Sequence, residues 1–464
     1  LDHPVPDIDL LITGGDVITM NPHRDVLMGG AVAIAGTTIV AVGSTHGLRA
    51  QYPGAPELDA TDCVVTPGIV SAHQHFTGDP LVRSVIPDTI TSGPAVFDWS
   101  VPLHAVHTGD DDEISALLTA TESLLKGVTT LVEAGTVAHP DRVGAGMHTA
   151  GVRGTVGCWG WDVPGVPFGG TADEVLDRQR AVLDAFPAGE RVSAMVTLVG
   201  HSLASDELLV GASDLAKSRG VGMTMHMSPS ASDTEAYLAS TGRPPIVHLD
   251  HLGVLGAHLL LAHCVYIDDA EFDALLRTDT AVGYCPWSYF RVGSGVTGHG
   301  RHAEFFTRGG RIGLGCDAIN AGDQVSILRA ASLAAGIAKD VSVDPSWFGA
   351  HEALEMATIR GADAIGMAAD IGSLEVGKKA DVVIHDATEP QWVPRGDVVM
   401  QLIWAAEGET VRDVIVDGVR VVAGGRCLTV DMDKLRVQAN AMAHDLLGRA
   451  GLDVPHRWPE IASS

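Results

Sequence analysis

Two histidines one residue apart, His73 and His75, close the apolar run that starts at Pro67. Alternate side chains of a strand share a side, so both imidazoles can grip one cation. A histidine pair alone is weak evidence, since a buried imidazole is as readily a hydrogen-bonded core residue. The pair gains weight from His226, His263 and Asp317, each of which also ends an apolar run. The bland reading, a packed core histidine, is weak for these positions and strong for His104, His107, His139, His148 and His258.

The elements that must position them follow from periodicity. Eight apolar runs read as strands: Val65–Ala72, Thr129–Glu133, Val152–Cys158, Val192–Leu198, Gly222–His226, Leu259–His263, Ala281–Cys285 and Ile312–Asp317. Amphipathic runs fill most gaps, among them Asp112–Lys126, Ala172–Phe186, Asp206–Arg219, Asp268–Leu276 and Val325–Ala338. Strand and helix in alternation predict an α/β fold, a (β/α)8 TIM barrel over residues 67–370. The active sites of such barrels lie at the C-terminal strand ends, and all five candidate residues fall there. Residues 1–66 and 371–430 are rich in short strands and glycine turns, which predicts one small β-sandwich built from both termini. Within 431–464, Leu435, Ala439, Met442 and Leu446 recur at steps of four, three and four, one face of a terminal helix.

A formal charge of -28 over 464 residues repels polyanions and anionic membranes. Nucleic acid and membrane partners are therefore not expected, and a small-molecule substrate is. Six scattered cysteines without a Cys-x-x-Cys fit a reducing cytosol. Leu1 to Asp7 carries no basic stretch followed by an apolar one, and no later segment stays apolar long enough to cross a bilayer. A soluble cytoplasmic protein is expected.

Several motifs together resemble the amidohydrolase superfamily, in the branch of the triazine hydrolases and the cytosine and guanine deaminases. They are Val64-Val65-Thr66-Pro67-Gly68 leading to His73-Gln74-His75, Lys126-Gly127-Val128-Thr129-Thr130, Leu261-Ala262-His263-Cys264-Val265, Gly313-Leu314-Gly315-Cys316-Asp317, and Gly372-Ser373-Leu374-Glu375-Val376-Gly377-Lys378-Lys379-Ala380-Asp381. The resemblance spans nearly the whole chain and implies the same barrel and terminal sandwich. It implies that His73, His75, His226 and Asp317 hold one divalent metal ion per subunit. His263 then matches the histidine that holds the water or substrate oxygen and in some members approaches the metal. Two-metal members keep a lysine at the fourth strand end, and Val192–Leu198 has none. Zinc is the first expectation, although cobalt, manganese and iron suit the same ligands. The family mostly forms dimers or larger rings, so a homo-oligomer is expected.

Two departures bear on the substrate. The family's deaminases carry His-x-x-Glu after the fifth strand, where the glutamate passes a proton; here the run is His226-Met227-Ser228-Pro229, and proline cannot. Trp287 and Tyr289 stand where relatives usually hold arginine and asparagine.

A cation on three imidazoles and a carboxylate, with a position open, brings the pKa of a water to roughly 7 and polarises a carbonyl. Asp317 is then the expected proton acceptor and His263 the oxyanion stabiliser. Trp99, His201, Trp287, Tyr289 and Asn320 are candidate substrate contacts, the aromatics favouring an apolar substrate. The first reading is a mononuclear metal-dependent hydrolase that cleaves a C–N or thiocarbamate C–S bond at a carbonyl carbon. Its substrate would be a small neutral molecule such as an N-substituted phenylurea or carbamate, which makes it similar to the phenylurea and molinate hydrolases of xenobiotic degradation. The alternative is an aminohydrolase, a deaminase or dechlorinase of an aminated triazine, purine or pterin, with Ser228, His201 or another loop residue replacing the shuttle. A third reading, a catalytically dead scaffold, sits poorly with five retained residues.

Overall fold

The computed structural model describes residues 7–77, 79–454, 456–459 and 461. Leu1 to Pro6, most of the stretch expected to lack a leader, lies outside the described residues, as does the end of the tail.

The two terminal stretches meet in one nine-stranded mixed sheet. Cys63–Pro67 takes a partner on each edge, Leu10–Ile18 in parallel and Val382–Asp386 antiparallel, and so ties the N-terminal strands to the C-terminal ones. Ile12, Val32, Val65, Val382 and Ile415 share the core there. By hydrogen bonding this is a single continuous sheet where a sandwich of two was expected.

Gly68 ends the strand. Its amide donates to the Asp381 carbonyl at 2.8 Å, and a Cβ there would meet Thr129 Oγ1 at 2.1 Å. The chain then enters a second strand, so the single expected run Val65–Ala72 is split between two sheets. Ile69–Gln74, Val128–Glu133, Arg153–Val156 and Val192–Ala194 form a four-stranded parallel sheet. Val196–Gly200, Met223–Met227, Leu259–His263, Ala281–Tyr284 and Ile312–Leu314 form a five-stranded parallel one. The expected run Val192–Leu198 divides at Met195, whose N–H donates back to the Val156 carbonyl at 3.3 Å while Val196 donates onward to Gly222 at 3.0 Å. At the opposite seam an isolated parallel bridge joins Gln74 to Asp317. The sheets therefore give a mixed α/β fold with two parallel sheets, and do not by themselves draw the closed barrel expected.

Helices fill the gaps as the periodicity requires, and side-chain caps set their starts. Thr108, Thr171, Ser205 and Asp268 each accept the amide three residues on, opening Gly109–Leu125, Ala172–Ala185, Asp206–Arg219 and Asp269–Thr278. Each such cap contributes about 1 kcal/mol. The terminal helix Met432–Ala450 buries Leu435, Ala439 and Leu446, the last two against Leu81, Val82 and Leu103. Arg153, 3 % exposed, joins the parallel and mixed sheets through Asp381 (2.7 and 3.0 Å) and Asp417 (2.9 Å). Among the described residues no helix is long and apolar enough to cross a membrane.

Candidate metal centre

Where the parallel strands end, His73, His75, His226 and Asp317 each bring a ligand atom within 4.8 Å of the other three. His226 Nδ1 donates to the Val199 carbonyl at 2.7 Å. That bond fixes the tautomer and leaves a lone pair on Nε2. The lone pair faces His75 Nε2 across 3.2 Å. His75 Nδ1 pairs with Thr136 Oγ1 at 2.8 Å, and Asp317 Oδ1 lies 3.3 Å from His75 Nε2 and 3.6 Å from His73 Nε2. Among the described residues, neither nitrogen of the fully buried His73 has a hydrogen-bond partner. A buried polar group left so costs free energy, and a divalent cation fits the deficit.

The electrostatics suit neutral ligands. Burial drives the His73, His226 and His263 imidazoles down, His263 to about 3. Burial alone would raise the Asp317 carboxyl, but the His73 and His75 imidazoles close beside it and the nearby His263 hold it well below the usual carboxylate range. Gly315 leaves the room this needs, since a Cβ there would lie 2.9 Å from both His73 Cβ and Cys285 Sγ.

His263 stands beside the four. Its ring is 5.5 Å from that of His73 and 5.4 Å from that of His226, and it groups with Cys285 and Asp317 within 4.8 Å. His201, Ser228, His263 and Asp317 all hold left-handed φ angles, +52°, +54°, +81° and +65°. Non-glycine residues adopt such angles uncommonly, and here they gather at the C-terminal ends of strands of the five-stranded parallel sheet.

The candidate substrate contacts divide. Tyr289 is 2 % exposed, and its hydroxyl meets His263 Nδ1 at 3.3 Å and the Cys285 amide at 3.1 Å, so it supports His263. Trp287 lies under the Arg329 guanidinium, 5.1 Å from the ring centre. Trp99 packs with the cluster of Leu81, Leu103 and Leu446. Asn320 is buried in the short helix Ile319–Gly322 just beyond Asp317. His201 is at the site: its ring stacks on His226 at 5.5 Å and its Nδ1 meets Asp233 Oδ2 at 2.8 Å.

Two residues escaped the reading of the sequence. Glu133 is wholly buried, its carboxyl pushed up to about 7 by burial, and it accepts the Gly135 amide and the amide of the same Thr136 that holds His75. Its signal was its place, the last residue of a parallel strand. Asp233 gave none, because an acidic residue in the first turn of a helix reads as a partner of the helix dipole.

Residues 64–421 match the amidohydrolase family. The chain belongs to that family. This amidohydrolase is a hydrolase acting on carbon–nitrogen bonds, and its kin and its ligand cluster together support a bound divalent metal. It is 29% identical over 442 residues, 94% of this chain and 98% of the relative, to a 5-methylthioadenosine/S-adenosylhomocysteine deaminase of Syntrophobacter fumaroxidans. It is 32% identical over 420 residues, 88% of this chain and 92% of the relative, to an enzyme of the same name from Symbiobacterium thermophilum. A zinc-bound adenosine deaminase structure from Xanthomonas campestris aligns with TM-score 0.90 at 26% identity, over 96% of this chain and 100% of that one. A zinc complex of atrazine chlorohydrolase from Arthrobacter aurescens aligns with TM-score 0.87 at 22% identity, over 94% and 100%. These likenesses correct the first reading: they favour the aminohydrolase alternative over urea or carbamate cleavage. They lend no support to the expected kinship with phenylurea and molinate hydrolases or to a role in xenobiotic degradation.

Proposed function

We propose that this amidohydrolase is a zinc-dependent deaminase, removing an amino group from a heteroaromatic ring of a small neutral molecule. The observation that carries the reading is a four-ligand cluster whose buried His73 has no hydrogen-bond partner among the described residues, in a chain whose near-full-length relatives are named as deaminases. His73, His75, His226 and Asp317 would hold one cation. When bound, a divalent cation supplies a nucleophile at neutral pH and polarises the carbon under attack. The chain's own groups do the rest. Asp317 is the proton acceptor, a carboxylate whose Oδ1 lies 3.3 and 3.6 Å from the His75 and His73 Nε2 atoms. His263, braced by Tyr289, stands beside the ligands to stabilise the developing oxyanion. Pro229 cannot relay a proton, and His201, stacked on His226 at 5.5 Å, and the buried Ser228 are polar groups on that side.

The reading extends to the surroundings. The Gln74–Asp317 bridge and the strand that changes sheets at Met195 are the two seams through which the parallel sheets would close as a barrel. All six cysteines are free, which suits a reducing cytoplasm. The partner is a small molecule, and a homo-oligomer is the expected assembly.

The test is product analysis of the zinc-loaded enzyme on adenosine, 5-methylthioadenosine, guanine, aminotriazines and phenylureas. Ammonia from an aminated ring supports the proposal. Amine release from a phenylurea without ammonia from any ring would restore cleavage at a carbonyl carbon.

A further inference from the structure

His226 and His75 are braced in different ways. The Nδ1 of His226 meets a backbone carbonyl, that of Val199 at 2.7 Å, whereas the Nδ1 of His75 meets a side-chain hydroxyl, Thr136 Oγ1 at 2.8 Å. A hydroxyl is only as well placed as the turn that carries it. That turn, Ala134 to Thr136, follows the strand Val128–Glu133. The Ala134 amide donates to the Gln74 carbonyl at 3.0 Å, and Thr77 Oγ1 donates to the Thr136 carbonyl at 2.9 Å. Gly135 holds φ at +93°, and a Cβ there would lie 2.8 Å from Thr197 Cβ in the strand Val196–Gly200. Glu133 takes the two amides that are left: one oxygen accepts from Gly135 at 2.5 Å and the other from Thr136 at 3.4 Å. The residue is 0% exposed. Burying a carboxyl is costly, and an apolar side chain would suit the core alone.

We propose that Glu133 is a positioning residue for the metal centre: its two oxygens set the turn that aims Thr136 Oγ1 at His75 Nδ1, and so orient His75 Nε2 toward the other ligands. This rests on the metal reading of the four-ligand cluster and not on the choice of substrate. When a cation is held by Nε2, the ring hydrogen is on Nδ1 and donates to the hydroxyl, which fixes the orientation of the ring. Both oxygens of Glu133 are needed. Glu133→Gln leaves one acceptor oxygen for two amides and sets an NH2 against the second.

The experiment measures zinc affinity by chelator competition in wild type, Glu133→Gln, Glu133→Asp, Thr136→Val and the double variant of Glu133→Gln with Thr136→Val, each first shown to be folded by circular dichroism. Loss of an outer partner of a metal-bound histidine costs about 10–100-fold in affinity, and Glu133→Gln and Thr136→Val should each lose that much. Because Glu133 acts through Thr136, the double variant should bind no more weakly than Thr136→Val alone, whereas independent losses would multiply. Glu133→Asp, whose shorter carboxylate can still accept the amide two residues on, should lie between wild type and Glu133→Gln, and it carries the test if Glu133→Gln does not fold. The second readout needs no metal. The 15N signal of His75 Nδ1 in histidine-labelled, metal-free protein, assigned with His75→Asn, should move in Glu133→Gln in the direction that it moves in Thr136→Val. Wild-type zinc affinity in both Glu133 variants, multiplied losses in the double variant, or a His75 signal that Glu133→Gln leaves in place overturns the proposal. If wild type takes up no zinc, the metal reading fails, while the metal-free spectra still decide whether Glu133 positions His75.

Discussion

Two largely enclosed carboxylates, Asp381 and Asp317, receive opposite treatment. Asp381 faces its cation within the chain: both oxygens meet the Arg153 guanidinium, at 2.7 and 3.0 Å, and one also takes the Asp417 amide at 2.8 Å. Asp317 faces two imidazoles, at 3.3 and 3.6 Å; burial pushes the farther one, His73, down, and neither of its nitrogens has a hydrogen bond among the described residues. The first cluster closes on itself and joins two sheets. The second leaves its donors aimed at a common point. A balanced buried ion pair is thus a structural feature, whereas an unbalanced convergence of lone pairs is a site waiting for a cation.

The largest expected effect separates the two. Asp317→Asn should lower turnover at least about 100-fold, the scale of a lost acid–base group, while the urea midpoint of the metal-free enzyme stays close to wild type. Near-normal activity in that variant would remove Asp317 from the chemistry. Arg153→Met should do the reverse. It strands Asp381 in a 3 % exposed environment, and breaking such a pair costs about 3–5 kcal/mol. Urea unfolding of the metal-free form measures this, and a variant as stable as wild type would show that Asp381 does not need its guanidinium.

Metal removal gives the next effect. A ligand that binds only the folded state stabilises it by about 2.7 kcal/mol at 100 times its Kd. Zinc-loaded enzyme should therefore unfold at higher urea than metal-free enzyme by roughly that amount under those conditions. Arg153→Met should keep the gap and Asp317→Asn should narrow it. Equal gaps in the two variants would mean that the carboxylate at position 317 does not bind the metal.

Much of this centre was legible in the chain. Strand alternation put His73 and His75 on one side, and the rule that barrel chemistry lies at C-terminal strand ends drew in His226, His263 and Asp317. The divisions of strands at Gly68 and Met195 were not legible, because an apolar run does not state which neighbour will take its hydrogen bonds. Tyr289 read as a mouth aromatic, yet the short helix Pro286–Val292 turns its hydroxyl back to His263. Asp233 was hidden for a similar reason: its partner lies thirty-two residues away and meets it only because a helix folds against a different strand end. Local pattern finds residues that act from their own element, and misses those that act across elements.

The smallest effect concerns pH and uses a histidine remote from the metal. His385 is wholly enclosed in the mixed sheet beside Thr66, and burial pushes its imidazole down to about 4. In the unfolded chain it titrates near 6.5, so the unfolded state binds the extra proton as pH falls. Its contribution is whole above pH 6.5 and is lost as pH drops toward 4, with a slope of about 1.4 kcal/mol per pH unit. Urea unfolding of metal-free enzyme at pH 7, 6 and 5 should show that slope reduced in His385→Gln. The difference between zinc-loaded and metal-free stability isolates the metal centre, since His385 contributes equally to both forms. His385→Gln should leave that difference untouched at each pH, and a change would mean that the mixed sheet and the metal centre are coupled through the strand pair Cys63–Pro67 and Val382–Asp386.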